Sequence, residues 1–292
     1  MRAVKENAYA KINLFLDVVG KRPDGFHDVD TVMHSIALFD TLTVTLSPAR
    51  VSTVSLRVIG NDRLVTDDKN LAVRAARLFL ERAAITAAVN IKLEKRIPVS
   101  AGLAGGSTDA AATLRAMNRL TDRYFSECAL LSLALELGSD VPYCFIGGTA
   151  RCEGRGEIMT KLTAPALNTV IAVTDEYVST PRAYAALDGI YSNFDGSLPR
   201  RGPELSKLIL KSLAEGRLEP KSVYNVFEDV TFPVCPKSKT VKARMSELGA
   251  ICAAMSGSGP SVFGIFESEE GAILARDALN GEGYCAYFAK SV

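Results

Sequence analysis

The sequence of 292 residues contains no tryptophan and only two histidines, His27 and His34. It has no uninterrupted apolar run of transmembrane length, and its first residues, MRAVKENAYAK, lack the apolar core of a signal peptide. Its six cysteines are scattered, without a Cys-x-x-Cys pair or a histidine at metal-ligand spacing. These absences argue against a membrane span, a zinc site and a disulfide framework. They predict a soluble cytoplasmic protein whose cysteines are reduced and mostly buried.

The chain also has little net charge, because 34 basic and 33 acidic residues leave only +1 at pH 7. Binding to a nucleic-acid backbone normally needs a marked basic excess or a basic cluster. The sequence has neither, so we expect no nucleic-acid partner. Its length suits two modest domains or one large domain with a substantial core. Because glycine density rises around residues 151–157, we place an N-terminal domain at residues 1–153 and a C-terminal domain at residues 154–292.

The most informative stretch is PVSAGLAGGSTDAAATLRAMNRL, residues 98–120. Before it, Val89, Ile91 and Leu93 alternate with polar residues, which is typical of a strand with one buried face. After the glycines, apolar residues recur at helical spacing as far as Met117. The sequence therefore predicts a strand, a glycine-rich loop and a helix, in that order.

This loop has the chemistry of a phosphate cradle. Glycine lets the backbone approach phosphate oxygens, and the first N–H groups of a helix have no intrahelical acceptor. Three polar residues are predicted to cap the helix start: Ser107, Thr108 and Asp109. The glycine spacing matches neither the Walker A loop nor the Gly-x-Gly-x-x-Gly fingerprint. A flexible linker is the alternative, but a linker needs neither the strand nor the capped helix.

Other segments carry polar residues in suggestive places. Lys11 and Asn13 share one face of a predicted strand within AYAKINLFLDVVG, so both could reach one ligand. A solvent-facing strand surface is the alternative. The turn signal Pro-Asp-Gly at residues 23–25 places Phe26 and His27 just beyond a turn.

Asp140 follows a predicted helix that Ser126 opens and Gly138 closes, in a turn ahead of an apolar segment that we predict to be a strand. Loops held by rigid elements concentrate catalytic groups, although an Asx turn is the alternative. The stretch VSTPRAYAAL, residues 178–187, indicates a turn. A second small-residue loop, residues 253–261, precedes a strand and could close over the same ligand.

Three stretches together resemble the GHMP kinases: residues 8–27, 98–112 and 255–266. The first joins a Lys-x-Asn strand to an Arg-Pro-Asp-Gly-aromatic-His turn. In this it is similar to the branch of the family that phosphorylates a cytidine-diphospho sugar alcohol in the non-mevalonate route to isoprenoids. A homoserine or mevalonate type of kinase, or a non-catalytic ligand-binding member, is the alternative.

The resemblance implies an α+β fold with two domains. The N-terminal domain would resemble ribosomal protein S5 domain 2, the C-terminal domain would be ferredoxin-like, and the site would lie in the cleft between them. It implies ATP and Mg²⁺ as cofactors, a small-molecule substrate of the cytidine-diphospho sugar alcohol class, and a monomer or weak homodimer.

The resemblance also assigns roles to residues. Lys11 and Asp140 are implied to be the catalytic pair. The residues implied to bind the nucleotide are Asn70, Lys95, Pro98, Val99, Ser100, Ala101, Gly102, Leu103, Ala104, Gly105, Gly106, Ser107 and Thr108. The residues implied to bind the substrate are Asn13, Phe26, His27, Thr180 and Tyr184, with Phe26 stacking on the cytosine. The metal ligands are not assigned, and Ser107 is a candidate. The family usually has glycine in place of Ala104, serine in place of Thr108 and tyrosine in place of Phe26.

Overall fold

The structure, a computed structural model, describes residues 2–61, 63–191 and 201–292. The chain forms two compact units, each assembled from several segments. Unit 1 comprises Met1–Ala10, Leu38–Val99 and Ala104–Gly147, and unit 2 comprises Lys11–Ala37, Ser100–Leu103 and Gly148–Val292. Two long strands, β1 (Arg2–Lys21) and β2 (His27–Pro48), contribute residues to both units. The domain boundary after residue 153 stays a prediction.

Unit 1 combines strands with a group of helices. Its strands β3 (Thr53–Ile59) and β4 (Ala87–Glu94) run parallel, because helix α1 (Leu71–Ala83) provides the crossover between them. The second half of β2 pairs antiparallel with β4. Three further helices complete the unit: α2 (Gly105–Leu120), α3 (Glu127–Leu137) and α4 (Val141–Ile146).

Unit 2 contains the turn between β1 and β2 and the strands beside it. The first half of β2 pairs with β5 (Thr149–Gly154), which pairs in turn with β6 (Ile158–Leu162). Strand β1 pairs with the short β8 (Tyr224–Asn225). The helices of this part are α5 (Thr180–Ile190), α6 (Gly202–Ala214), the 3-10 helix η1 (Pro220–Ser222) and α7 (Glu228–Thr231).

Unit 2 also holds a four-stranded antiparallel sheet in the order β11-β7-β10-β9. Its strands are β7 (Asn168–Val173), β9 (Cys252–Met255), β10 (Val262–Phe266) and β11 (Cys285–Lys290). Helices α8 (Pro236–Glu247) and α9 (Glu269–Gly281) bury Val241, Met245 and Leu279 in a shared core with this sheet. A βαββαβ-like sheet covered by two helices is the arrangement expected of a ferredoxin-like domain.

Several predicted elements differ from the structure. The apolar segment 141–146 is helix α4 rather than a strand, because a six-residue apolar run does not distinguish the two by its period. The stretch predicted to be a turn around residue 180 begins helix α5, with Pro181 in its first turn. The cysteines are all free, but Cys128 and Cys285 are exposed, so predominant burial was wrong for these two.

His34 offers a test of the fold through pH. Its ring lies buried in β2, with Nδ1 2.8 Å from Thr149 Oγ1 and Nε2 2.9 Å from Ser291 Oγ. Burial lowers the pKa of His34 from 6.5 to about 4. A base with a lowered pKa is favoured neutral in the folded state, so its contribution is complete above pH 6.5 and is lost as pH falls through about 4.

We therefore expect His34 to remove about 3 kcal/mol of unfolding free energy between pH 7 and pH 4, at about 1.4 kcal/mol per pH unit. Urea unfolding of the wild type and of His34→Gln across this range measures the effect as a difference, so other titrating groups cancel. Two stability curves that run parallel from pH 7 to pH 4 would contradict the assignment.

Candidate active site

Lys11 and Asn13 lie in the part of β1 that belongs to unit 2, and both faces of the strand are buried there. Lys11 is 3% exposed and Asn13 is 2% exposed, which excludes the solvent-facing alternative. The Lys11 Nζ donates to Asn13 Oδ1 at 2.7 Å. Asn13 Oδ1 also accepts from the backbone N–H of Gly257 at 2.9 Å. The structure thus brings the predicted catalytic lysine and Asn13 together with the second small-residue loop.

That second loop packs against residues 100–103, which are also part of unit 2. Ser256 Oγ donates to the carbonyl of Gly102 at 3.0 Å, and Ser261 Oγ donates to the carbonyl of Ala101. Gly102 has a φ of +74°, and a Cβ there would collide with the Ser256 carbonyl. Only glycine both adopts this positive φ readily and lacks a Cβ. The second loop therefore packs against residues 100–103, and its predicted role in closing over the same ligand stays a prediction.

The rest of the predicted phosphate loop belongs to unit 1, where α2 begins earlier than the sequence suggested. The N-cap position is Ala104, and Ser107, Thr108 and Asp109 lie inside the helix, so their predicted capping role was wrong. Thr108 Oγ1 instead donates to the carbonyl of Tyr9 at 2.8 Å. Gly106 is exposed in the first turn of α2. Helix N-terminal N–H groups beside an exposed glycine are suited to an anion.

Ala104 has a left-handed backbone, with φ 57° and ψ 28°. An alanine there is strained by about 1–2 kcal/mol, and the greater chain entropy of glycine offsets about 0.5–1 kcal/mol of the relief. We expect Ala104→Gly to raise the unfolding free energy by up to about 1 kcal/mol. Ala84, the C-cap of α1 with φ 51°, provides the matched control. Urea unfolding and ATP titration should show similar stability gains in Ala104→Gly and Ala84→Gly, and a change in ATP affinity only in Ala104→Gly. Destabilisation by Ala104→Gly would contradict this account.

Lys95 belongs to a buried charge cluster in unit 1. Its Nζ donates to Asp40 Oδ2 at 2.5 Å and to Asp109 Oδ2 at 2.7 Å. Asp40 Oδ1 also accepts the backbone N–H groups of Arg96 and Ile97. The cluster therefore links the chain leaving β4 to the second turn of α2. A Cβ on Gly105 would lie 3.1 Å from Lys95 Nζ, so this ammonium lies directly beside the start of α2.

The electrostatics of this cluster follow from its burial. Burial raises the pKa of Asp109 to about 8, the Lys95 charge opposes the rise and the Asp40 charge adds to it. Burial lowers the pKa of Lys95, but the two aspartates outweigh it, so the net shift is upward. One cation with one ionised carboxylate leaves the cluster neutral, which a buried site favours. The predicted contact of Lys95 with the nucleotide stays a prediction.

Asn70 has a local role at the start of α1. Its Oδ1 accepts from the backbone N–H of Ala72 at 2.9 Å, and its Nδ2 donates to the carbonyl of Val65 at 2.9 Å. It is therefore the N-cap of the helix. A Cβ on Gly106 would lie 3.5 Å from Leu71, so the capped end of α1 contacts the start of α2.

Asp140 occupies the N-cap position of α4, which begins with Val141 and Pro142. Its backbone carbonyl accepts from Cys144 N at 3.0 Å. In the part of the chain that the structure describes, its side chain makes no capping hydrogen bond to this helix. The Asp140 side chain is therefore not the cap of α4. Its catalytic role stays a prediction.

Unit 2 contains a group of aromatic side chains at the turn between β1 and β2. The His27 and Tyr184 rings stack with centroids 4.6 Å apart. Phe26, at 48% exposure, has the guanidinium of Arg155 3.7 Å from its ring centroid. Stacked and cation–π arrangements of this kind accept a planar base readily. Three of the predicted substrate residues, Phe26, His27 and Tyr184, thus lie at or beside the turn between β1 and β2.

Asp188 orients the histidine of this group. Its Oδ1 lies 2.7 Å from His27 Nε2, and its Oδ2 accepts from Lys21 Nζ at 2.6 Å. Burial raises the pKa of Asp188, but the hydrogen bonds from Lys21 and His27 outweigh it and leave the pKa below its usual range. Because an ionised carboxylate only accepts hydrogen bonds, His27 Nε2 carries the proton. Thr180, also predicted on the substrate side, shares a 2.9 Å hydrogen bond with Ser258 of the second loop.

Sequence reasoning missed Asp40, Arg155 and Asp188. Asp40 was detectable as a charge between the apolar runs of β2, where an unpaired carboxylate would be costly. Arg155 and Asp188 gave no local signal, because their partners are Phe26 and His27, far away in sequence.

No group of three or more His, Cys, Asp or Glu side chains is arranged to hold a metal ion within residues 2–61, 63–191 and 201–292. In the same residues, no helix combines the length and apolar character needed to cross a bilayer.

Comparison with known proteins identifies the family. The model of the GHMP kinases N terminal domain matches residues 70–148, and that of the GHMP kinases C terminal domain matches residues 202–285. A 4-diphosphocytidyl-2-C-methyl-D-erythritol kinase from Caldicellulosiruptor saccharolyticus is 42% identical, over 93% of this chain and 91% of that protein. A kinase of the same name from Gloeobacter violaceus is 39% identical, over 99% of this chain and 91% of that protein.

Solved structures agree with this result. A crystal structure of 4-(cytidine 5'-diphospho)-2C-methyl-D-erythritol kinase matches with a TM-score of 0.79 and 35% identity, covering 98% of both chains. Homoserine kinase from Cytophaga hutchinsonii matches with a TM-score of 0.74 at 20% identity, covering 100% of this chain and 95% of that chain, and shows the shared fold alone. The expected α+β GHMP kinase fold is confirmed. The chain therefore belongs to the GHMP kinases, ATP-dependent small-molecule kinases, and among them to the 4-diphosphocytidyl-2-C-methyl-D-erythritol kinases.

Proposed function

We propose that this protein transfers the γ-phosphoryl group of ATP to the C2 hydroxyl of 4-diphosphocytidyl-2-C-methyl-D-erythritol, giving ADP and the 2-phosphate. The relatives named above carry this substrate in their names and cover nearly the whole chain. The observation in the molecule that supports it best is the group of Phe26, His27 and Tyr184, since a cytosine needs both a stacking surface and hydrogen-bonding edges. A homoserine or mevalonate kinase has no need of such a group.

Phosphoryl transfer requires alignment and charge neutralisation more than covalent chemistry. We propose that Asp140 accepts the proton of the substrate hydroxyl and that Lys11 stabilises the negative charge of the transferring group. Support for Lys11 comes from its burial and from its hydrogen bond to Asn13, which restrict the ammonium to one position. Support for Asp140 comes from its position at the start of α4, where its backbone carbonyl accepts from Cys144 N at 3.0 Å.

The proposed nucleotide site is made of the backbone of residues 98–108, together with Asn70 and Lys95. Gly102 and Gly105 are required by packing, because a Cβ on Gly102 would collide with the Ser256 carbonyl and one on Gly105 would lie 3.1 Å from Lys95 Nζ. The first turn of α2 offers backbone N–H groups to negative oxygens. Asn70 and Lys95 support this backbone through the start of α1 and through the Asp40–Asp109 cluster.

Mg²⁺ is the proposed counter-ion of the ATP phosphates, and it would supply charge neutralisation there. The described residues contain no acidic group of three that could hold it without ATP. A magnesium ion bound chiefly by phosphates and water needs few protein ligands.

We also propose that the protein is cytoplasmic and that it is a monomer or a weak homodimer.

The test is to offer ATP and Mg²⁺ with 4-diphosphocytidyl-2-C-methyl-D-erythritol, homoserine or mevalonate in parallel and to measure ADP release. We expect turnover with the cytidine compound only. CMP and CDP should compete with the alcohol, because the aromatic group reads the base, and should leave the KM for ATP nearly unchanged. If only homoserine or mevalonate were phosphorylated, the proposed substrate would be wrong. The assignment of the protein as a kinase would still hold. ADP release that does not depend on any of the three alcohols would overturn the proposed transfer.

A further inference from the structure

Thr31 is a buried residue of β2 to which neither the motifs nor the comparisons assign a role. It belongs to unit 2 and is 0% exposed. Its Oγ1 lies 2.6 Å from the carbonyl oxygen of Phe15 and 2.9 Å from Asn13 Nδ2. A carbonyl oxygen carries no proton, so the single hydroxyl proton of Thr31 is donated to Phe15. The hydroxyl can then only accept a hydrogen bond from Asn13.

This arrangement determines which way the Asn13 amide points. An acceptor at Thr31 requires the NH₂ side of the amide, so the carbonyl side, Oδ1, must face the opposite direction. There Oδ1 accepts from Lys11 Nζ at 2.7 Å and from the Gly257 backbone N–H at 2.9 Å. An amide turned by 180° would place its NH₂ group against two donors and its oxygen against the Thr31 lone pair. Hydrogen-bond chains of this kind are what distinguish the two orientations of an asparagine.

Both groups that Asn13 holds belong to the proposed site. Lys11 is the proposed cation, and Gly257 lies in the loop that packs on residues 101 and 102 through Ser256 and Ser261. A Cβ on Gly257 would lie 3.5 Å from Lys11 Nζ, so the ammonium and this loop are in direct proximity. The orientation of one amide therefore affects the catalytic cation and the backbone beside the phosphate loop together.

We propose that Thr31 is a positioning residue for phosphoryl transfer, which acts through the Asn13 amide to hold the Lys11 ammonium and the Gly257 backbone in place. The proposal rests on the proposed function for the role of Lys11. It also explains how the polar side chain of Asn13 tolerates burial. Its amide oxygen and nitrogen form hydrogen bonds with Lys11, Gly257 and Thr31. Thr31 itself contacts neither ligand in this account.

The test compares Thr31→Val, which keeps the shape and loses the hydroxyl, with Thr31→Ser, which restores the hydroxyl. Thr169→Val is the matched control, because Thr169 lies fully buried in β7 and its Oγ1 has no hydrogen-bond partner among the described residues. We expect Thr31→Val to lower kcat by roughly 10–100-fold, since small displacements of a positioned group reduce the rate by this much. The KM for ATP should change by less than about threefold. Thr31→Ser should recover most of the rate, and Thr169→Val should keep it.

Normal kcat in Thr31→Val would overturn the proposal, as would a Thr31→Ser variant no more active than Thr31→Val. If Thr31→Val does not fold, Thr31→Ala is compared with Thr31→Ser in the same way.

If the wild type transfers no phosphoryl group to any alcohol, the proposed function fails by itself. The positioning proposal is then judged by the ¹⁵N–¹H signals of the Asn13 side-chain amide. A shift in Thr31→Val but not in Thr169→Val supports it, and unchanged signals overturn it.

Discussion

Replacing Asp140 with asparagine is expected to lower kcat by roughly 10²–10⁴-fold, the usual contribution of a positioned acid or base. Asparagine is nearly isosteric with aspartate and still accepts a hydrogen bond, but it cannot take a proton from a hydroxyl at neutral pH. Within the described chain, the Asp140 side chain makes no capping bond to α4, so a lost cap does not account for a slower reaction. Single-turnover phosphoryl transfer and calorimetric binding of ATP and alcohol measure the two effects separately.

A surface aspartate of the same unit provides the control. Asp122 is exposed and pairs with Arg2 at 2.7 Å, so Asp122→Asn removes a carboxylate without approaching the proposed chemistry. We expect it to keep normal turnover, because surface ion pairs contribute little. Near-normal turnover in Asp140→Asn would contradict the assignment of Asp140 as the base, even if the protein proved to be a kinase.

Replacing Lys11 with methionine is expected to lower kcat by roughly 10²–10³-fold, the effect of removing one group that stabilises charge in the transition state. Methionine fills a similar unbranched volume without the ammonium. Lys11 is 3% exposed, so the substitution is made at a buried position and the stability of the variant must be measured beside its rate. Urea unfolding checks the fold, and single-turnover kinetics check the rate. A variant that folds normally and reacts at the wild-type rate would contradict the role of Lys11.

Combining the two changes separates cooperation from independence. If Asp140 and Lys11 serve the same proton and phosphoryl transfer, Lys11→Met with Asp140→Asn should lose less than the product of the single losses. Fully multiplicative losses would indicate that the two side chains act on different steps.

Much of the local structure was predictable because it depends on neighbours in sequence. The strand, loop and helix around residues 87–120 followed from a change of hydrophobic period. The ends of α3 followed from Ser126, whose side chain accepts from Ala129 N, and from Gly138. The predicted caps of α2 failed because Ala104 adopts a left-handed conformation that alanine seldom takes, so the helix starts earlier.

The candidate site was predictable where a motif carries it and not where distant residues meet. Lys11 and Asn13 were identified from their shared strand face, but their burial depends on what covers that face. Asp40 reaches Lys95 across 55 positions of the chain. Thr31 reaches Asn13 from the neighbouring strand. Such contacts depend on strand pairing and helix packing, which a single sequence leaves open.

The most direct test of the central claim follows the phosphate itself. ATP labelled at the γ position is mixed with an excess of the protein, Mg²⁺ and 4-diphosphocytidyl-2-C-methyl-D-erythritol, and the products of one turnover are identified by phosphorus NMR. We predict one phosphomonoester on the C2 hydroxyl for each ADP formed. Labelled inorganic phosphate without a phosphorylated alcohol, or a phosphate on another hydroxyl, would contradict the account.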